Sequence, residues 1–229
     1  MTVRIERPLG LSELLAETVR VYGERFFAAL GLGLPVAGAF VTTLYTHVVL
    51  DVVVVSLAFT ATYAAAARFA SGDGIGEAWA QTLLHLPTLL VLTVIVAVPF
   101  ALAVGQLYLI LVAIAWLGLT GFSIPVTMLE QEAGAESWFE RLSSSLYRSV
   151  SLARAELLHA MGVIAALVIV YVVLGIVLAA ALAGFAANEE TIAVAIAQVV
   201  LAPLFFLGLS VLYFEQKARA LSSPRQPTR

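Results

Sequence analysis

The sequence contains no cysteine, which excludes a disulfide framework, a thiol nucleophile and a thiolate metal site. Charge is nearly as scarce. Asp, Glu, Lys and Arg together make up 12% of the 229 residues, about half the roughly 25% usual in soluble domains. The 12 basic residues are scattered and the formal net charge is −3, so the basic surface that nucleic acid requires is missing and no such partner is expected. Signatures of catalysis are absent as well. The three histidines, His47, His85 and His159, fall in separate loops and form no His-Glu-x-x-His. There is no Gly-x-Ser-x-Gly elbow, and Gly72, Gly74 and Gly76 precede no lysine at phosphate-loop spacing. Gly72-Asp73 lies in a loop rather than a span, which disfavours an intramembrane aspartyl protease. Ser143-Ser144-Ser145 lies on or beside the polar face of a helix, where solvation accounts for it. No catalytic residue, cofactor or metal is expected.

What the sequence does have is apolar length. Hydrophobic residues make up 62% of the chain, the mean hydropathy is +1.01, and a membrane span needs about 20 such residues. Six runs qualify, at about 26–44, 48–67, 84–104, 107–129, 158–182 and 191–213. The expected fold is therefore all-α, a polytopic membrane protein with a single integral domain over 1–215 and a polar cytoplasmic tail over 216–229. Six crossings use roughly 120 positions, which leaves no room within these residues for a soluble catalytic domain. The first 25 residues carry Arg4, Glu6, Arg7, Glu13, Glu17, Arg20, Glu24 and Arg25 with no apolar stretch before a cleavage site, so they do not read as a cleavable signal.

Orientation follows from the bias of Lys and Arg toward cytoplasmic loops. Arg4, Arg7, Arg20 and Arg25 precede the first run, Arg68 follows the second, Arg141, Arg148 and Arg154 follow the fourth, and Lys217, Arg219, Arg225 and Arg229 follow the sixth. All fall on one side. The opposite loops, near Thr46-His47, Gly105-Gln106 and Ala183 to Glu190, contain none, so both termini are expected to be cytoplasmic. Asp51, Glu189 and Glu190 would then face outside, with Asn188 capping the sixth span. Arg outnumbers Lys eleven to one in an Ala-rich chain, which points to a GC-rich prokaryote and hence to its plasma membrane.

Between the runs lie shorter amphipathic segments, at about 11–26, 76–85 and 136–158. In the third, Phe139, Leu142, Leu146, Val150, Ala153 and Leu157 recur at helical spacing opposite Arg141, Ser144, Arg148 and Ser151. Such a helix lies in the headgroup layer, with Trp138 and Tyr147 as anchors and Arg141, Arg148 and Arg154 reaching lipid phosphates. In the first, Glu13, Glu17, Arg20 and Glu24 oppose Leu11, Leu14, Leu15, Tyr22 and Phe26. The second, shorter, follows the flexible Ser71-Gly72-Asp73-Gly74 and enters the third span. Amphipathic helix followed by hairpin thus recurs three times, a pseudo-repeat. Capping of the bundle is the plain role for these helices; a lipid or partner site is the sharper one.

Within the spans, the small residues Ala58, Ala61, Thr62, Ala65 and Ala66 predict a central, tightly packed second helix. Pro35, Pro87, Pro99, Pro125 and Pro203 each free a backbone carbonyl and bend a helix. Gln198 is the deepest polar candidate, suited to an interhelical hydrogen bond. Glu130 ends the fourth span, and a carboxylate at that depth calls for a partner. Arg148, or failing that Arg141, supplies a forked donor, so a clasp pinning the third amphipathic helix to the bundle is expected, with solvation of both groups as the alternative.

Several of these residues also carry a family resemblance. The stretch Leu14 to Phe27 with Tyr22 and Arg25-Phe26-Phe27, then Glu130, Arg148-Ser149 with Leu152, and the closing Tyr213-Phe214-Glu215 with Arg219 resemble the membrane domain fused to some glycerophosphoryl diester phosphodiesterases. That domain also stands alone in six-helix proteins of the YciC type. The family often has Asp where Glu215 stands. The resemblance implies a membrane-associated, non-catalytic role, because the hydrolase of fused members is a separate domain. The leading expectation is a non-enzymatic protein that interacts with membrane lipids or supports the envelope, acting through its cytoplasmic helices and with a protein partner or a second copy as further options. A permease or channel subunit comes next. A lipid-modifying enzyme comes third, and would need His85, Glu130, His159 and Glu215 to converge.

Overall fold

The computed structural model describes residues 3, 5, 7–42, 48–103, 109–130, 137–154, 156–183 and 190–222. Among them every regular element is a helix, in the order α1 (Leu11–Glu24), α2 (Phe26–Thr42), α3 (Val48–Ala70), α4 (Ile75–Leu84), α5 (Leu86–Ala103), α6 (Leu109–Thr120), α7 (Ser123–Leu129), α8 (Trp138–Ala153), α9 (Leu157–Ala183) and α10 (Glu190–Ser222). Four segments are long and apolar enough to cross a membrane: Leu50–Ala70, Leu111–Leu129, Leu157–Leu182 and Thr191–Ser222. Two bent pairs, α1 with α2 at 99° and α4 with α5 at 82°, raise the number to six if each pair is one span. The chain is an integral membrane protein. At 1.5 Å per residue the 17 residues of α2 reach about 26 Å, just short of a hydrocarbon core of about 30 Å.

The core is organised around α10 and α3. Tyr63, Ala64, Ala65, Ala66 and Ala67 of α3 are buried, as is most of α10 from Ala202 to Tyr213. Small side chains let the neighbours of α3 come close, and Thr62 donates from Oγ1 to Leu32 O at 3.2 Å across that gap. The α2–α10 crossing is closer still. A Cβ on Gly33 would stand 2.4 Å from Val199 O, so only glycine fits. Pro203 explains why that carbonyl is open to a neighbour: it has no N–H to bond the residue four positions back. Tyr22 adds a hydrogen bond to Val200 O at 2.8 Å. By contrast α9 is peripheral, with 17% of its span buried against 72% for 111–129.

The helices lie close to the apolar runs, with three departures. The fourth run breaks at Gly121-Phe122 into α6 and α7, and at the break the carbonyls of Leu119 and Thr120 accept from Ser149 Oγ at 2.7 Å and Ser123 Oγ at 2.6 Å. α10 runs on to Ser222 with Glu215 and Gln216 fully buried, so the helix continues past 215 into the segment read from sequence as the tail. The 71–74 loop is pinned. Gly72 turns the chain at φ 115°, Arg68 pairs with Asp73 at 2.8 Å, and Arg25 donates to Asp73 O at 2.9 Å.

Candidate functional site

Arg25, Arg68, Glu130, Arg148, Lys217 and Arg219 gather at one end of the bundle, and their contacts show it directly. Arg25, at the α1–α2 bend, stacks on the Phe69 ring with 3.9 Å to its centroid and donates to Phe69 O at 3.2 Å. There it satisfies carbonyls at the C-terminus of α3, where a cation is also favoured by the helix dipole. Arg68 reaches Met128 O at 3.4 Å, and Val3 N donates to Ala70 O at 2.9 Å. The ends of α3, α7 and α10, the start of α9 and the whole of α8 meet here.

Glu130, the C-cap of α7, is the focus of the first cluster. Arg148 donates from Nε to Glu130 Oε2 at 2.9 Å, Tyr213 donates from Oη to Oε1 at 2.7 Å, and Lys217 Nζ pairs with Oε1 at 2.9 Å. Three helices therefore converge on one carboxylate. Burial by itself would raise the Glu130 carboxyl, but the bonds from Lys217, Arg148 and Tyr213 outweigh it and hold the group below the usual carboxylate range. Of the two arginines expected at this carboxylate, the structure brings Arg148. Tyr213 and Lys217 were not expected there; their place on α10 four residues apart puts both on one helix face, a spacing visible in the sequence without any sign of what it would meet.

The second cluster is centred on Arg219. Its guanidinium pairs with the buried Glu215 one turn back and with Glu156, and donates to Leu9 O at 2.9 Å. His159 Nε2 lies 3.8 Å from Glu215 Oε2 and 3.4 Å from Arg219 Nη2. One arginine thus binds the chain ahead of α1 to the start of α9 and the end of α10. The Glu215–Arg219 spacing is the ordinary helical four and was the available signal. His85 is elsewhere, at the α4–α5 bend with Nδ1 2.9 Å from Gln81 O. Glu130 and Glu215 are thus occupied by separate sets of cations, and among the described residues no group of three His, Asp or Glu is placed to hold a metal.

Helix α8 lies against α6 and α7 and begins with a full capping box, Glu140 N on Ser137 Oγ at 3.3 Å and Ser137 N on Glu140 Oε2 at 3.0 Å. Its inward stripe is Leu142, Ser145, Ser149 and Leu152. Ser145 is a correction to the solvated serine cluster: it is buried and shares a 2.8 Å hydrogen bond with Thr127 Oγ1. Ser143 and Ser144 are exposed. Phe139, assigned to the apolar stripe, is 63% exposed, and Tyr147 is 80% exposed. Arg154 is exposed too, while Arg141 and Arg148 are half-buried. The side chains of Trp138 and Glu190, and Asn188 and Glu189 entirely, lie outside the described residues.

Deep in the bundle, Gln198 is buried and accepts a hydrogen bond at Oε1 from Tyr171 Oη. The pair joins α9 to α10, and each uses the other's polar group. Comparison with known families, curated proteins and solved structures finds no match for this chain.

Proposed function

We propose that this is a non-enzymatic polytopic membrane protein whose working surface is the cytoplasmic end of the bundle, where α8, with α1 and α4, meets membrane lipid. The reading takes both bent pairs as surface helix plus span, giving six crossings in the plasma membrane of a prokaryote with both termini cytoplasmic. Three units follow, α1–α2–α3, α4–α5–α6/α7 and α8–α9–α10, each an amphipathic helix leading into a hairpin. The membrane domain of the glycerophosphodiesterase type that the sequence resembles would have the same non-catalytic character, and the resemblance rests on the residues quoted for it alone.

One observation carries the reading. α8 is seated by polar bonds on its inner side, Ser145 to Thr127, Ser149 to Leu119 O and Arg148 to Glu130, while large aromatic side chains at Phe139 and Tyr147 stand outward beside Arg154. A helix held that way offers rings and cations to a headgroup layer. Passage of a solute is less well supported, because Tyr171 and Gln198 satisfy each other instead of lining a path.

Extraction in native nanodiscs followed by mass spectrometry of the retained molecules tests the role. The expected result is a set of retained lipids enriched over the bulk membrane. Retention of a soluble small molecule, with lipid at bulk composition, would move the assignment to a permease; a partner protein in stoichiometric amount would make envelope support the primary role.

A further inference from the structure

Arg148 and Lys217 both address Glu130, yet neither spends its full hydrogen-bonding capacity there. Arg148 uses only Nε, and among the described residues its two terminal nitrogens donate to nothing. Lys217 directs one of three N–H donors at the carboxylate. Two cations on one carboxylate leave a positive charge over. Both side chains keep more than a third of their surface open, 39% for Arg148 and 37% for Lys217. Because they hold the two oxygens of a single carboxylate at 2.9 Å each, their nitrogens are within about 8 Å of each other, a gap that one phosphate group can bridge.

We propose that Arg148 and Lys217, set side by side by Glu130, form a binding site for a phosphate-bearing anion, supplied by the headgroup of an anionic phospholipid. This rests on the lipid-interacting role above and gives it a specific site. Glu130 places the two side chains together but also takes up part of their charge, and for an anionic ligand that competition outweighs the gain from ordering them. The place of the site favours a lipid over free phosphate. It lies where the end of α7 and the last turns of the α10 span meet α8, on a helix that carries the exposed Tyr147 ring, at the level where headgroups lie against a span's end.

The test titrates the purified full chain in neutral detergent with phosphatidylglycerol, phosphatidylcholine or inorganic phosphate, reading the unfolding midpoint and counting lipid adducts by native mass spectrometry. Phosphatidylglycerol is expected to bind more tightly than phosphatidylcholine, and Lys217→Gln to weaken that binding about fivefold, the effect of one basic residue at an anionic surface. Arg7→Gln, at an exposed cation paired with Glu13 and outside the cluster, should leave it unchanged. Glu130→Gln gives the distinguishing result: it removes the competing carboxylate, so lipid should bind more tightly while the lipid-free protein becomes less stable. Saturable binding of inorganic phosphate at the strength of phosphatidylglycerol would assign the same cations to a free anion and overturn the headgroup source. Phosphatidylglycerol binding that Lys217→Gln does not change would leave the lipid role standing and remove this site. No retained lipid at all would remove both. If Glu130→Gln and Lys217→Gln lower stability and lipid binding in parallel, the residues only hold the fold and the proposal fails.

Discussion

Glu130 is bonded by donors from two helices besides its own, and that makes it the residue where energetic coupling is most directly measurable. A half-exposed Arg–carboxylate pair is screened by water, so the Glu130→Gln/Arg148→Gln cycle should give a coupling of about 0.5–1 kcal/mol in thermal stability, and zero would eliminate the clasp. Arg141→Gln should show no such coupling to Glu130. The sign with pH follows from the carboxyl being held below its ordinary range. Its contribution is complete above the unfolded value of about 4.3 and is lost as pH falls through the lower folded value. Wild type should therefore lose stability on acidification below about pH 4.3, with a flatter profile for Glu130→Gln. At Gln198 the bond to Tyr171 is worth little in a membrane, so Gln198→Leu should change stability by no more than about 2 kcal/mol. A larger loss would mean that the side chain serves more than packing.

Among the elements, the α2–α10 crossing shows how one proline and one glycine act together. Pro203 opens the Val199 carbonyl and Gly33 allows α2 to come down on it, so Gly33→Ala must push two backbones apart. The expected cost is about 1–3 kcal/mol, as for an overpacked core. Gly38, on the same helix with nothing within 4 Å of its missing Cβ, predicts the opposite sign. Gly38→Ala should be neutral or stabilising, by up to about 1 kcal/mol from helix propensity alone. Thermal unfolding of the two variants in one detergent checks the pair, and equal effects would contradict the crossing. α8 illustrates a different rule, that a helix in an irregular neighbourhood buries its hydroxyls. At the Gly121-Phe122 break, Ser149 on the facing helix takes the Leu119 carbonyl and Ser123 of α7 takes that of Thr120.

For the whole molecule the decisive property is sidedness. Among the described residues, Arg25, Arg68, Arg148, Lys217 and Arg219 all meet at one end. If that end is cytoplasmic, a cysteine introduced at Glu189 should react with an impermeant maleimide in intact cells and one at Arg148 should not. The reverse labelling would invert the topology, and labelling at both would break the six-span reading.

Helical character, membrane residence and the approximate helix limits were all legible in the sequence, because the length of an apolar run is a local property that lipid reads without reference to the rest of the chain. Glu130 and Arg148 were legible for a related reason: a carboxylate at a span end needs a partner, and the nearest forked donors lie on the following helix. Tertiary structure alone decided the rest. Tyr213 and Lys217 reach Glu130 from more than 80 positions away, Arg219 closes on Leu9 across 210, and Ser145 turns inward against the apolar pattern. These are set by which helix end or freed carbonyl comes to face them, and periodicity along one helix carries no information about what lies across the gap.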